Sequence, residues 1–282
     1  QPSAVIISDL TTSPSHYQAE QTLDSWLKKQ KVPALVGIDT RRLTQKLRDK
    51  GVMLGKIIVN NKDIPFSDPN ERNLVAEVSI SQLKIHKPAT NHQLPTTNIG
   101  LLNCGAKANI VRCLIKRGAT VYELPWDFDP YINGLKLDGL IISNGPGNPK
   151  MAKESINIIR KALAKKLPTF GICLGNQLLA LAAGGNTYKL KFGHRAQNQP
   201  TIEEGTKRCY ITTQNHGYAV SDKKLPQGFK RWFYNANDNT NEGIIHEKLT
   251  FFSVQFHPEA APGPTDTEFL FDFFLNVVKK NI

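Results

Sequence analysis

No run among the 282 residues is apolar over a membrane-spanning length, which excludes a transmembrane helix within this sequence. Cysteine is scarce as well. Cys104, Cys113, Cys173 and Cys209 are the 4 present, and none of their spacings belongs to a disulfide framework or a zinc knuckle. A reducing compartment is the natural setting for such thiols. A phosphate-cradling P-loop is missing, and no group of residues has metal-ligand spacing. The net charge is +12, yet the basic residues do not gather into a stripe. Pairs such as Lys28-Lys29, Lys165-Lys166 and Lys279-Lys280 suit solvated helix faces, which argues against a nucleic-acid partner. The opening residues do not read as a secretory signal, and with Gln1 in place of Met the expectation is an excised piece. What is present is 40% apolar residues, enough for a core, on a length that suits one large domain or two ordinary ones.

The first region mixes short elements. Residues 4–10 (AVIISDL) and 54–60 are strand-like, and 36–38 is a further apolar run. Residues 18–30 place Leu23, Trp26 and Leu27 on one face of an amphipathic helix. A second helix is expected over 41–50, capped by Asp39-Thr40 and stopped by Gly51. Together these predict a small α+β domain over residues 1–85. The polar, aperiodic stretch 86–98, with prolines at 88 and 95, reads as a linker.

From residue 99 the pattern changes to strand, turn, helix, strand. Residues 99–103, 120–124, 140–142 and 168–172 are strand-like, with a helix over 108–117 closed by Gly118. Alternation of this kind predicts an α/β domain over 99–282, built on a doubly wound, mostly parallel sheet. Ligands of such sheets bind beyond the carboxyl ends of the strands. The loop 143–149 (SNGPGNP) follows one strand end and Cys173 the next.

Cys173 stands in Gly171-Ile172-Cys173-Leu174-Gly175, between a buried strand pattern and the Ala/Leu-rich helix pattern at 178–183. A nucleophile on a tight strand-to-helix turn has this form, better known with serine at its tip. The helix start beyond it favours the thiolate, which is the attacking species. Such a nucleophile needs a base and an orienting acid. Of the 7 histidines, His257 ends the apolar strand 250–256 and is followed by Pro258 and Glu259, so base and orienter fit within one turn. Oxyanion donors are expected from the Leu174 N–H and from Gly145.

With residues 171–177 (GICLGNQ) and 256–259 (FHPE) both in place, the chain resembles the class I glutamine amidotransferases. The resemblance implies a Cys-His-Glu triad that releases ammonia from glutamine. Cys173 would be the nucleophile, His257 the general base and acid, and Glu259 its orienter. Residues 143–149, 214–220 (QNHGYAV), 239–244 (NTNEGI) and 263–272 (GPTDTEFLFD) narrow the likeness to the glutaminase part of carbamoyl phosphate synthases. Residues 36–44 (VGIDTRRLT) and 49–57 (DKGVMLGKI) resemble the N-terminal domain of that family, truncated here at its start, and the eukaryotic fused synthases look most alike. L-Glutamine is then the implied substrate, with contacts from Gly145, Gly147, Leu174, Gln177, Asn215, Gly217 and Tyr218. The implied partner is a synthetase region of ATP-grasp type fused downstream. ATP, bicarbonate and magnesium belong to that region, and no cofactor or metal is expected in this chain. Neither a nucleic acid nor a membrane is an expected partner. The compartment is cytoplasmic on this reading, or the mitochondrial matrix as the alternative. Two departures from the family pattern are Asn176, where many members have His, and Asn103, where Asp is usual.

Overall fold

The computed structural model describes residues 3–17, 19–88 and 97–281. The chain forms two compact units, residues 1–64 and 65–282. In the first, β1 (Val5–Ile6) pairs in parallel with β2 (Ala34–Leu35), accompanied by α1 (Leu23–Gln30) and α2 (Thr40–Lys50). The Asp39 side chain accepts from the Arg42 N–H at 2.8 Å, and the Gly51 N–H closes the far end on the Leu47 carbonyl, the cap and stop expected for α2. Of the expected apolar face of α1, Leu27 is buried, while Leu23 and Trp26 stay largely exposed. The strand expected over 54–60 does not form. Leu54, Ile58 and Val59 remain exposed, and only an isolated bridge joins Val59 to Lys62. An apolar run becomes a strand only where a neighbour offers a ladder.

The second unit begins at Pro65, some way before the boundary expected at residue 85. It opens with α3 (Leu74–Val78) and β3 (Lys84–His86), and β3 pairs antiparallel with β5 (Thr120–Pro125). Ser79 reinforces the join: its hydroxyl donates to the Asn103 carbonyl at 2.6 Å and accepts from the Trp126 N–H. These ties depend on residues distant in sequence, so local composition gave no sign of them. Most of the expected linker 86–98, namely residues 89–96, lies outside the described residues.

The remaining elements are β4 (Asn98–Asn103), α4 (Ala108–Lys116), β6 (Gly139–Ile142), α5 (Lys153–Ala164), β7 (Thr169–Ile172) and α6 (Leu174–Ala182). After them come β8 (Thr187–Glu203), β9 (Cys209–Val220), β10 (Phe229–Asn235), β11 (Asn241–His246), β12 (Phe251–Val254) and α7 (Phe269–Lys279). All the long strands join one 10-stranded sheet in the order β3-β5-β4-β6-β7-β12-β11-β10-β8-β9. From β5 to β12 the neighbours run parallel; β11, β10, β8 and β9 extend the sheet antiparallel. The expected parallel core is therefore present, with an antiparallel extension formed by β11, β10, β8 and β9.

Alternation along the parallel strands sends side chains to opposite layers. Leu101, Ile141 and Phe170 join Ile110, Leu114, Phe271 and Phe274 in one apolar cluster, which α4 and α7 cover. Leu102, Leu140 and Ile142 join Ile156, Ile159, Leu178 and Leu179 in the other, which α5 and α6 cover. Both faces are thus dry, as a parallel sheet requires. The loops after β6, β7 and β12 emerge side by side at the carboxyl edge.

Candidate active site

Cys173 occupies the single residue between β7 and α6, with φ 55° and ψ −101°. A non-glycine residue held there costs about 1–3 kcal/mol, so neighbouring structure has to enforce it. The Cys173 N–H donates to the Val254 carbonyl at 2.8 Å, and its own carbonyl accepts from the Asn176 N–H at 3.1 Å. Space is equally restrictive on both sides of the tip. A Cβ on Gly171 would stand 2.5 Å from the Gly175 carbonyl oxygen, and one on Gly175 would overlap the Ile142 carbonyl. The flanking glycines let β7, α6 and the end of β6 approach at backbone contact distance.

Two strands along from β6, the end of β12 delivers the partners. His257 Nδ1 meets Glu259 Oε1 at 2.6 Å, and the Cys173 sulfur favours the charged form of the ring. Both His257 and Glu259 are buried. Burial opposes a charged His257, but the Cys173 sulfur and then the Glu259 carboxylate outweigh it and lift the imidazole to about 10. Burial likewise opposes the Glu259 charge, while His257 and Lys107 hold the carboxyl below its usual range. The imidazolium of the folded chain therefore titrates above the ordinary 6.5. Its stabilisation is complete below pH 6.5 and disappears as pH rises through about 10. Replacing Cys173 by Ala removes the largest of the raising influences. NMR titration of the His257 ring should then show a lower midpoint than in wild type; an equal midpoint would mean the sulfur is not its partner.

Supporting residues that the sequence did not single out complete the shell. Lys107, at the start of α4, lies 3.3 Å from Glu259 Oε1 and donates to the Ala260 carbonyl. Asn109 donates its side-chain amide to the Glu259 carbonyl. Gln255 points its Nε2 at the Cys173 sulfur (3.7 Å) and carbonyl (3.3 Å). Its Oε1 accepts from Asn176 and Gln177, each at 3.1 Å, and Ser253 donates to Asn176. Only the folded sheet brings these residues to Cys173.

Of the expected donors and contacts, Leu174 and Gln177 lie on α6 directly after Cys173, and Gly145 packs against Leu174. Leu174 begins α6, so its N–H is among the first-turn amides without an intrahelical acceptor. Gly145 is packed closely against it: an added Cβ would overlap the Cys104 carbonyl and stand 2.7 Å from Leu174 Cδ2. Gly147, at φ 87°, turns the same loop beside Leu74. Gln177 is buried with its Nε2 already donating to the Tyr218 carbonyl at 2.9 Å. The residues 214–217 belong to β9 itself. On it Asn215 is exposed, while Gln214 and His216 are buried. Tyr218 reaches Asn70 with its hydroxyl at 3.3 Å. The arrangement can attack a carbonyl carbon, hold the oxyanion on backbone N–H groups and shuttle a proton through His257.

Comparison with known proteins adds a family context. The class-I glutamine amidotransferase model matches residues 100–277, and the model for the carbamoyl-phosphate synthase small chain, CPSase domain, matches residues 1–57. The multifunctional protein CAD of Squalus acanthias is 48% identical over 98% of this chain. The mitochondrial carbamoyl-phosphate synthase [ammonia] of Homo sapiens is 46% identical over 99% of it. The chain spans only 12% and 18% of the length of those relatives. Among solved structures, a putative GMP synthase subunit from Thermoplasma acidophilum superimposes with a TM-score of 0.59 at 22% identity, covering 67% of this chain and 97% of that one. That likeness concerns the α/β fold. No helix among the described residues is long and apolar enough to cross a membrane.

Proposed function

We propose that this chain, which belongs to the class-I glutamine amidotransferase family, hydrolyses L-glutamine and passes the ammonia to a synthetase region that makes carbamoyl phosphate. The observation that carries this reading is Cys173 on its strained turn, together with a buried His257 that Glu259 holds in place and whose charge the sulfur supports. The sulfur attacks the side-chain amide carbon of glutamine, and the Leu174 and Gly145 N–H groups take the oxyanion. His257 gives its proton to the departing nitrogen as the tetrahedral intermediate collapses to a γ-glutamyl thioester. It then removes a proton from water, whose oxygen attacks the thioester and returns glutamate and the free thiol. On this reading Gly147, Gln177, Asn215, Gly217 and Tyr218 would hold glutamine's α-carbon groups. ATP, bicarbonate and magnesium are used in the synthetase region on this reading, and this chain supplies nitrogen. Both a cytoplasmic and a mitochondrial home fit, the human relative being mitochondrial by name.

A second reading rests on that same relative, whose name specifies ammonia: the domain would then hold a synthetase in shape without hydrolysing glutamine. Feeding the full-length protein bicarbonate and ATP with either glutamine or ammonium separates the two. Carbamoyl phosphate from either nitrogen source is expected. Synthesis from ammonium alone would overturn the proposal and favour the second reading.

A further inference from the structure

The buried faces of β8, β9 and β11 bring together His194, His216 and Glu242, whose ligand atoms all lie within 4.8 Å of one another. Sequence spacing gave no hint of this, because the residues come from three strands. His194 and His216 are direct cross-strand partners, and Gln214 lies two residues back from His216, where strand alternation returns a side chain to the same face. His194 Nδ1 is 2.9 Å from Gln214 Oε1 and 3.1 Å from Glu242 Oε1. His216 Nε2 is 3.1 Å from Gln214 Oε1 and 4.0 Å from Glu242 Oε1. Two ring nitrogens and two side-chain oxygens thus converge on one point.

The outer atoms of the cluster are arranged to match. His194 Nε2 meets Asp238 Oδ2 at 2.8 Å, and His216 Nδ1 meets the Tyr218 carbonyl at 2.8 Å. A carboxylate or carbonyl on the far nitrogen fixes the proton there and leaves the near nitrogen with its lone pair facing inward, as in histidine metal ligands. Hydrogen bonds alone account for the cluster poorly. All four ring nitrogens face oxygen acceptors, so satisfying them with N–H groups needs two imidazolium rings whose centroids are 4.8 Å apart. Glu242 Oε2 is also buried with no hydrogen-bond partner. A cation at the centre removes the first difficulty, because each ring can stay neutral with its lone pair on the ion.

We propose that His194, His216, Glu242 and Gln214 form a structural site for a divalent first-row metal, with zinc the best fit. Tetrahedral zinc with bonds of about 2.0–2.1 Å has ligand–ligand edges of about 3.3–3.4 Å. The four nitrogen–oxygen edges given above, from 2.9 to 4.0 Å, fall on both sides of that value, and the His194, His216 and Glu242 ligand atoms stay within 4.8 Å of one another. The ligand set is closed by protein, with no position reserved for a reactant, so the ion ties β8, β9 and β11 together. It would brace β9 from behind where Asn215 and Gly217 take the opposite face.

The test uses the full-length protein carrying Cys173→Ser, so that the reactive thiol does not compete for metal. The protein is stripped with a chelator and titrated with Co²⁺, then with Zn²⁺. Expected is one Co²⁺ per site of this kind with the visible absorption of tetrahedral cobalt, no sulfur-to-cobalt charge-transfer band, and displacement by Zn²⁺. His194→Ala and Glu242→Gln should abolish the visible band. Asp238→Asn, at a partly exposed position, should keep the fold and weaken Zn²⁺ binding by about 10–100-fold. Absence of the band in the folded parent, a band carrying sulfur charge transfer, or undiminished affinity in Asp238→Asn would overturn the site.

Discussion

Full-length protein carrying Cys173→Ser should lose glutamine-dependent carbamoyl phosphate synthesis by at least about a thousandfold, the usual scale for removing a nucleophile, while ammonium-dependent synthesis continues. Serine is close in size to cysteine and meets the same backbone demand at φ 55°. The turn, the Val254 bond and the packing of α6 should therefore persist, and circular dichroism and melting should match wild type. The loss is chemical. A serine hydroxyl beside His257 keeps its proton far more firmly than a thiol. His257 would also lose the sulfur that supports its charge in the buried site. Retention of glutamine use in this variant would remove Cys173 from the chemistry altogether.

Gly175→Ala should be the most damaging single methyl in the site region, lowering stability by about 3 kcal/mol or more. Gly175 has no positive φ, so the reason is space. The new Cβ would overlap the Ile142 carbonyl oxygen and come within 2.9 Å of the carbonyl carbon, and neither can rotate away. Alanine gains about 1 kcal/mol over glycine in helix propensity, which offsets only part of the clash. Relief requires α6 to lift from the end of β6, carrying Cys173 and Leu174 with it. At about 2–4 °C per kcal/mol for a unit of this size, melting should fall by roughly 6–12 °C, with glutamine use lost as well. A variant that melts like wild type would mean that the close approach of α6 to β6 is not what the fold depends on.

The legible part of the site was the part encoded locally. Gly171, Cys173 and Gly175 fall within five residues because the turn itself demands them, and His257 and Glu259 are two apart because one turn can pair them. The parallel strands showed as short apolar runs because both their faces are covered. What the sequence hid depends on residues that meet only through the sheet. Lys107 reaches Glu259 from the start of another helix, and Gln255 faces Cys173 because β12 lies beside β7. Likewise β3 joins the second unit through a pairing with β5 that no local pattern announces. The run at 54–60 misled for the complementary reason: its apolar residues met no partner strand.

The central claim is that the sulfur of Cys173 carries the acyl group during turnover. Full-length protein quenched in acid while consuming glutamine, then digested and weighed, addresses it directly. The peptide containing Cys173 should gain the mass of one γ-glutamyl group, and the Cys173→Ser peptide should not. Ammonia release with the Cys173 peptide unmodified throughout turnover, and continuing in the serine variant, would contradict the account.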